Sequence, residues 1–207
     1  MRGQFLPYKD ENVTKSFPYI TYGLILINIA VFIWSLTNFE NIIFSYGFVP
    51  AQFVLITLLS SMFLHGGLDH IFGNMLYLYL FGDNVEDTFG RIKFLIFYLL
   101  SGLAASLAHF ATNIGSVIPA IGASGAISGV LGAYLILFPK VKVHVASYYY
   151  AGKISAYYLI GFWFVMQLLL GTVSLFGARG SGIAFFAHIG GFIFGAIVTY
   201  IYKKLRK

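Results

Sequence analysis

Stretches of about 20 apolar residues recur along this 207-residue chain, and they constrain it more than any other feature. A helix crossing the roughly 30 Å hydrocarbon core of a bilayer needs about that length. Six stretches qualify: Tyr19 to Leu36, Leu68 to Val85, Ile92 to Thr112, Ala123 to Phe138, Ile154 to Phe176 and Ile183 to Tyr202. They predict an all-α, polytopic membrane protein built as a six-helix bundle. Only 10% of the residues are charged, where soluble domains carry about 25%. Such a chain cannot cover a soluble surface, and its apolar content excludes a disordered one. With no cysteine, disulfides, thiolate metal sites and cysteine nucleophiles are all excluded.

Lys and Arg set the expected direction. Twelve of the thirteen fall on one side: the first 17 residues, the connections around Arg91 and around Lys140 to Lys153, and the last five residues. The other side holds only Arg179. The positive-inside rule then puts both termini in the cytoplasm. It also accounts for the net charge of +6 without a nucleic-acid partner. Tyr148, Tyr149, Tyr150, Tyr157, Tyr200 and Tyr202 fall near the same boundary, as an interfacial belt would. Residues 1–17 read as a cytoplasmic tail, 18–203 as the membrane domain and 204–207 as a basic tail. The first apolar stretch is full length and has no small-residue cleavage site, so it reads as a retained helix. A small chain with no organelle-targeting segment suits a prokaryotic plasma membrane. Gln52 to Leu64 is apolar but too short to span, and reads as an interfacial segment.

Polar groups inside a bilayer are costly and are functional candidates by default. His70 and Asn74 lie in the first two turns of the second span, Ser124 in the first turn of the fourth, and His188 about five residues into the sixth. All three spans enter from the same side, so the four residues reach similar depth. Gly122, Gly125, Gly129 and Gly132, with Gly191 and Gly195, recur at spacings that let membrane helices approach closely. Contact of those faces would make His188 a general base for the Ser124 hydroxyl. Taken singly, the glycines suit packing, the serine a bond to its own backbone, and the His–Asn pair interhelical bonding. His65 and His70 have no HExxH context and only Asp69 nearby, so neither a metal nor a cofactor is expected.

Gly122-Ala123-Ser124-Gly125, His70-x-x-x-Asn74 and Ala187-His188-x-x-Gly191-x-x-x-Gly195, in this order on their spans, resemble the rhomboid family of intramembrane serine proteases. His65 and Glu86-x-x-x-Gly90 fit as well. The resemblance implies Ser124 as nucleophile, His188 as its base without an acidic third member, and His70 and Asn74 as oxyanion donors. It implies a structural role for Glu86, and transmembrane helices of other proteins as substrates. Two departures stand out. No Trp-Arg pair occurs in the first outer loop, and Ser128 replaces an aromatic residue one turn after the nucleophile, which makes it a minor rival nucleophile. With no carboxylate on either dyad helix, His188 is expected to be held by packing or water. The loop Asn113 to Ile121 is expected to dip inward and open a wet cavity, and Gly177 to Gly182 to act as a flexible cap. Spans two and five are expected to part for a substrate helix. An inactive relative that escorts membrane helices, and a small transporter, are the other readings.

Overall fold

A computed structural model describes residues 6–148, 151–175 and 183–206. The loop at Gly177 to Gly182, with Arg179, lies outside the described residues, as do Tyr149 and Tyr150. The chain is mostly helical. Helix α1 is Tyr19–Ser35, α2 Phe39–Tyr46, α3 Thr57–Ser60, α4 Leu68–Phe89, α5 Arg91–Thr112, α6 Ser124–Leu137, α7 Ala156–Leu175 and α8 Phe185–Leu205. Each apolar stretch read from the sequence coincides with one long helix, with ends moved by a few residues. Helices α5, α7 and α8 are each long and apolar enough to cross a bilayer. Helices α1 and α6 are apolar but only 17 and 14 residues long. Helix α4 has 22 residues but carries Asp69, Asp83, Glu86 and Asp87.

An all-α fold is not quite what forms. Leu6–Asp10 (β1), Lys142–Ala146 (β2) and Ala151–Ser155 (β3) make an antiparallel sheet in the order β1-β2-β3. Ile154 and Ser155, expected at the start of the fifth span, belong to β3 instead. The alternation Val143, Val145 buries one face of β2 completely. The amino-terminal segment is therefore strapped to the bundle. Asp10 accepts hydrogen bonds from the Tyr134 hydroxyl of α6 at 2.6 Å and from Asn84 of α4 at 3.0 Å. Glu11 pairs with Lys153 at 2.5 Å and His144 at 3.1 Å.

Those two carboxylates titrate in opposite senses. Hydrogen bonds from Lys153 and His144 hold the Glu11 carboxyl below its usual 4.5. Its contribution to the strap is thus present above pH 4.5 and lost as pH falls through the lower folded value. Burial raises the Asp10 carboxyl, so its contribution moves the other way. Hydrogen exchange at residues 142–155, corrected for intrinsic rates, should accelerate on acidification below about pH 4.5. In Glu11→Gln that acceleration should vanish. An unchanged profile in the variant would contradict the pairing.

At the same end of the bundle α4 closes the start of α1. Helix α1 follows Pro18 and has no side-chain cap of its own. The Glu86 carboxylate, buried near the end of α4, accepts the N–H groups of Ile20 and Thr21 at 3.0 and 2.8 Å and the Thr21 hydroxyl at 2.8 Å. A negative charge on unpartnered first-turn N–H groups is favourable for both. Asp87 takes the N–H groups of Lys15 and Ser16. Arg91, Lys204 and Arg206 lie over the rings of Tyr19, Tyr200 and Tyr202, in keeping with an interfacial belt there.

The closest helix approach is between α6 and α8. A methyl at Gly191 would overlap the Gly125 carbonyl, and one at Gly195 the Gly129 backbone. The two helices run parallel, since 125 meets 191 and 129 meets 195. Ala105 and Ser101 of α5 close against Gly125 and Gly129 at the same seam. Gly122 does not belong to this seam. It precedes α6 at φ +123°, a conformation that favours glycine, and faces His70.

Candidate active site

Ser124 is the first residue of α6. The helical bond series opens with Ile127 N–H to the Ala123 carbonyl. The N–H groups of Ser124, Gly125 and Ala126 therefore lack partners within the helix, at its positive end. The approach to this turn is fixed by the segment before α4. Gly122 donates its N–H to the Ser61 carbonyl at 2.9 Å, Phe48 and Ala120 exchange backbone bonds, and Ala51 bonds to Ser116. Gln52 to Leu64, expected as an interfacial piece apart from α4, forms α3 and short 3-10 turns at Pro50–Gln52 and Ser61–Phe63. Phe48 and Ala51, just ahead of it, hold the loop Asn113 to Ile121, and Ser61 within it holds Gly122.

The parallel seam sets Ser124 against the first turn of α8. Ser124 Oγ and His188 Nε2 are 2.8 Å apart. The other imidazole nitrogen, Nδ1, lies 2.8 Å from Gln167 Oε1 on α7. Gln167 was not among the residues expected here. It adds a hydrogen bond to the packing expected to hold His188, which Trp163 supplies with its ring centre 6.0 Å from the imidazole. The one amide in a largely apolar span is the signal that could have found it.

His70 faces the same gap from α4. A β-carbon at position 122 would lie 2.8 Å from His70 Nε2 and 3.6 Å from Ser124 Oγ. Its Nδ1 accepts the Gly66 N–H at 3.2 Å. That bond aims Nε2 at the gap and, in a neutral ring, puts the proton there, where it can donate. Asn74 is buried one turn further along and donates to the His70 carbonyl at 2.9 Å. That bond uses one of its two amide protons. His65 is completely buried, edge-on to His70 with ring centres 5.0 Å apart. The Ser128 hydroxyl is buried and donates to the Ser124 carbonyl at 2.6 Å, a bond that occupies its proton. Among the described residues no three His, Asp or Glu side chains group as metal ligands. A cavity of about 30 Å³ touches Ser124, Ser61, Ser106, His109 and Ala187, enough for one water.

An alcohol within bonding distance of an imidazole, beside helix-terminal N–H groups without helical partners and a second imidazole, is an arrangement with the parts that nucleophilic attack and anion binding require. Comparison with known proteins gives the family. Residues 52–205 match the Rhomboid domain. The chain is similar to Rhomboid protein 1, mitochondrial, of Saccharomyces cerevisiae, 30% identical over 97% of this chain and 60% of that protein. It is similar to the human presenilin-associated rhomboid-like protein, mitochondrial, 30% identical over 89% of this chain and 49% of that one. It is also similar to inactive RHOMBOID-like protein 8 of Arabidopsis thaliana, 35% identical over 66% and 35%. The chain thus spans between about a third and three fifths of the length of these relatives. The chain is a multi-pass membrane protein and belongs to the rhomboid family.

Proposed function

We propose that the chain is an intramembrane serine endopeptidase that cuts transmembrane helices of other membrane proteins. The observation that carries this reading is the 2.8 Å contact of Ser124 Oγ with His188 Nε2 at the open end of α6. Ser124 Oγ attacks the scissile carbonyl carbon while His188 Nε2 takes its proton. The oxyanion is met by the Ser124 N–H, by His70 Nε2 and by the second amide proton of Asn74, each such donor being worth about 3 kcal/mol. The C–N bond then breaks, the leaving amine takes the proton from His188, and the first fragment stays esterified to Ser124. A water, for which the cavity beside Ser124 has room, hydrolyses the ester with His188 again as base. No metal or cofactor enters.

The six long helices are read as six spans, with both termini on the basic side. At 14 residues α6 is about 21 Å long, shorter than the roughly 30 Å core. With its carboxyl end at the basic boundary, Ser124 would lie below the opposite surface, within reach of a membrane-embedded peptide bond. Helix α7 rests chiefly on α8, and α4 on α6 and α1, which supports parting of α4 and α7 as the entry for a substrate helix. The prokaryotic plasma membrane expected from the sequence meets a counter-indication, since two of the relatives named above carry "mitochondrial" in their names. The proposal is therefore restricted to a multi-pass membrane location.

The test is reconstitution of the pure protein with a tagged single-span substrate, wild type against Ser124→Ala. Cleavage by the wild type alone is the expected result. Substrate binding by both without cleavage would point to an escort protein, and equal cleavage by both would overturn the role of Ser124.

A further inference from the structure

The bond between α7 and His188 goes beyond the serine–histidine pair, though it rests on the reading just given. We propose that Gln167 is a positioning residue that fixes the tautomer of His188, holding the proton on Nδ1 so that Nε2 is left as the acceptor for the Ser124 hydroxyl.

Three observations support it. First, Gln167 Oε1 and Ser124 Oγ each lie 2.8 Å from opposite nitrogens of one imidazole. A neutral imidazole donates through one nitrogen and accepts through the other. With Oε1 toward Nδ1, the amide oxygen accepts from Nδ1 and Nε2 accepts from the serine. The reverse arrangement, with the amide turned over, makes Nε2 the donor. Ser124 would then need another acceptor for its own proton, and His188 is the one side chain bonded to its hydroxyl among the described residues. The first arrangement pairs both nitrogens and the serine proton within the protein, whereas the second leaves the half-buried hydroxyl only the cavity water as acceptor, so the first is favoured.

Second, Gln167 is only 8% exposed, in a helix whose next three residues, Leu168, Leu169 and Leu170, point outward. A buried amide is retained where it is bonded. Third, the same face of α7 holds Trp163 one turn before, against the His188 ring, and Gly171 one turn after, against Phe185 and Ile189 of α8. The ring is thus fixed at its edge and flanked by an indole, both from α7. In soluble serine proteases a carboxylate fills this position. A neutral amide supplies the same orientation without a buried charge, which is costly at membrane depth. Movement of α7 away from α8 would remove the acceptor, so the proton would be set only when α7 is seated.

The experiment is nitrogen NMR of the histidine-labelled protein in detergent, with His188 assigned by His188→Ala, alongside turnover. In the wild type, His188 Nδ1 should carry the proton and Nε2 should give the unprotonated signature. In Gln167→Met, of similar size but without the acceptor, the two signatures should mix. Its kcat should fall about 10- to 100-fold with KM unchanged. Gln167→Glu, which keeps an oxygen acceptor, should restore the wild-type signature and most of the turnover. A wild-type His188 protonated on Nε2 would overturn the proposal without any variant. So would Gln167→Met with wild-type signatures and kcat, or with a raised KM alone. The spectrum is independent of proteolysis, so a wild type that cuts nothing would refute the protease and leave the tautomer still decided.

Discussion

Replacing His188 with alanine is expected to lower turnover of a membrane-spanning substrate by at least about 10⁴-fold while leaving the bundle folded. The reason is geometric. His188 Nε2 is the group bonded to the Ser124 hydroxyl, and an alcohol is a poor nucleophile unless a base takes its proton as it attacks. Residues that act as one unit lose activity together, so Ser124→Ala should cost about as much and the double variant no more than either. Ser128→Ala should stay near the wild-type rate, because the Ser128 proton is already committed to the Ser124 carbonyl. Turnover per mole of folded protein, with helix content checked by circular dichroism, reads all of these. A double variant much slower than both singles would mean that the two residues do not act on one proton.

The second large effect is structural. Gly195→Val should destabilise the bundle by about 3 kcal/mol or more, beyond the usual cost of overpacking. The first new carbon would overlap the carbonyl oxygen, carbonyl carbon and α-carbon of Gly129, which are backbone atoms with no rotamer to yield. Helices α6 and α8 would have to separate. That movement would also pull Ser124 from His188, since the same seam sets their distance. Unfolding titrated in detergent gives the stability, and turnover gives the dyad. Gly161→Ala is the matched control, because nothing lies within 4 Å of its added carbon. It should be neutral or stabilise by about 0.5–1 kcal/mol through helix preference. Equal tolerance at both positions would contradict the seam.

The long helices, the glycine seam and the serine–histidine approach were legible because each follows from a repeating local pattern. Apolar length marked the spans, and spacings of three and four marked the faces that meet. What was not legible depends on contacts far apart in sequence. Strand β1 is five residues of a polar segment, and it pairs with a partner more than 130 residues away. Neither periodicity nor propensity in so short a stretch announces that pairing. Gln167 was visible as a polar residue in an apolar helix, but its inward aim depends on how α7 rolls against α8. Glu86 could be given a structural role only by resemblance; that it closes the first turn of α1 follows from the crossing of α1 and α4. Gly122 was grouped with the seam by spacing. Its backbone angle and its approach to His70 come from the loop ahead of α6.

A fluorophosphonate probe addresses the nucleophile directly. It forms a phosphorus–oxygen bond to an activated serine and releases fluoride, so the product is a stable adduct that intact-mass and peptide mass spectrometry can locate. One adduct per chain is expected, on the peptide containing Ser124, and it should be lost in both Ser124→Ala and His188→Ala. An adduct on Ser128, or equal labelling of the Ser124→Ala chain, would contradict the assignment of Ser124 as the nucleophile.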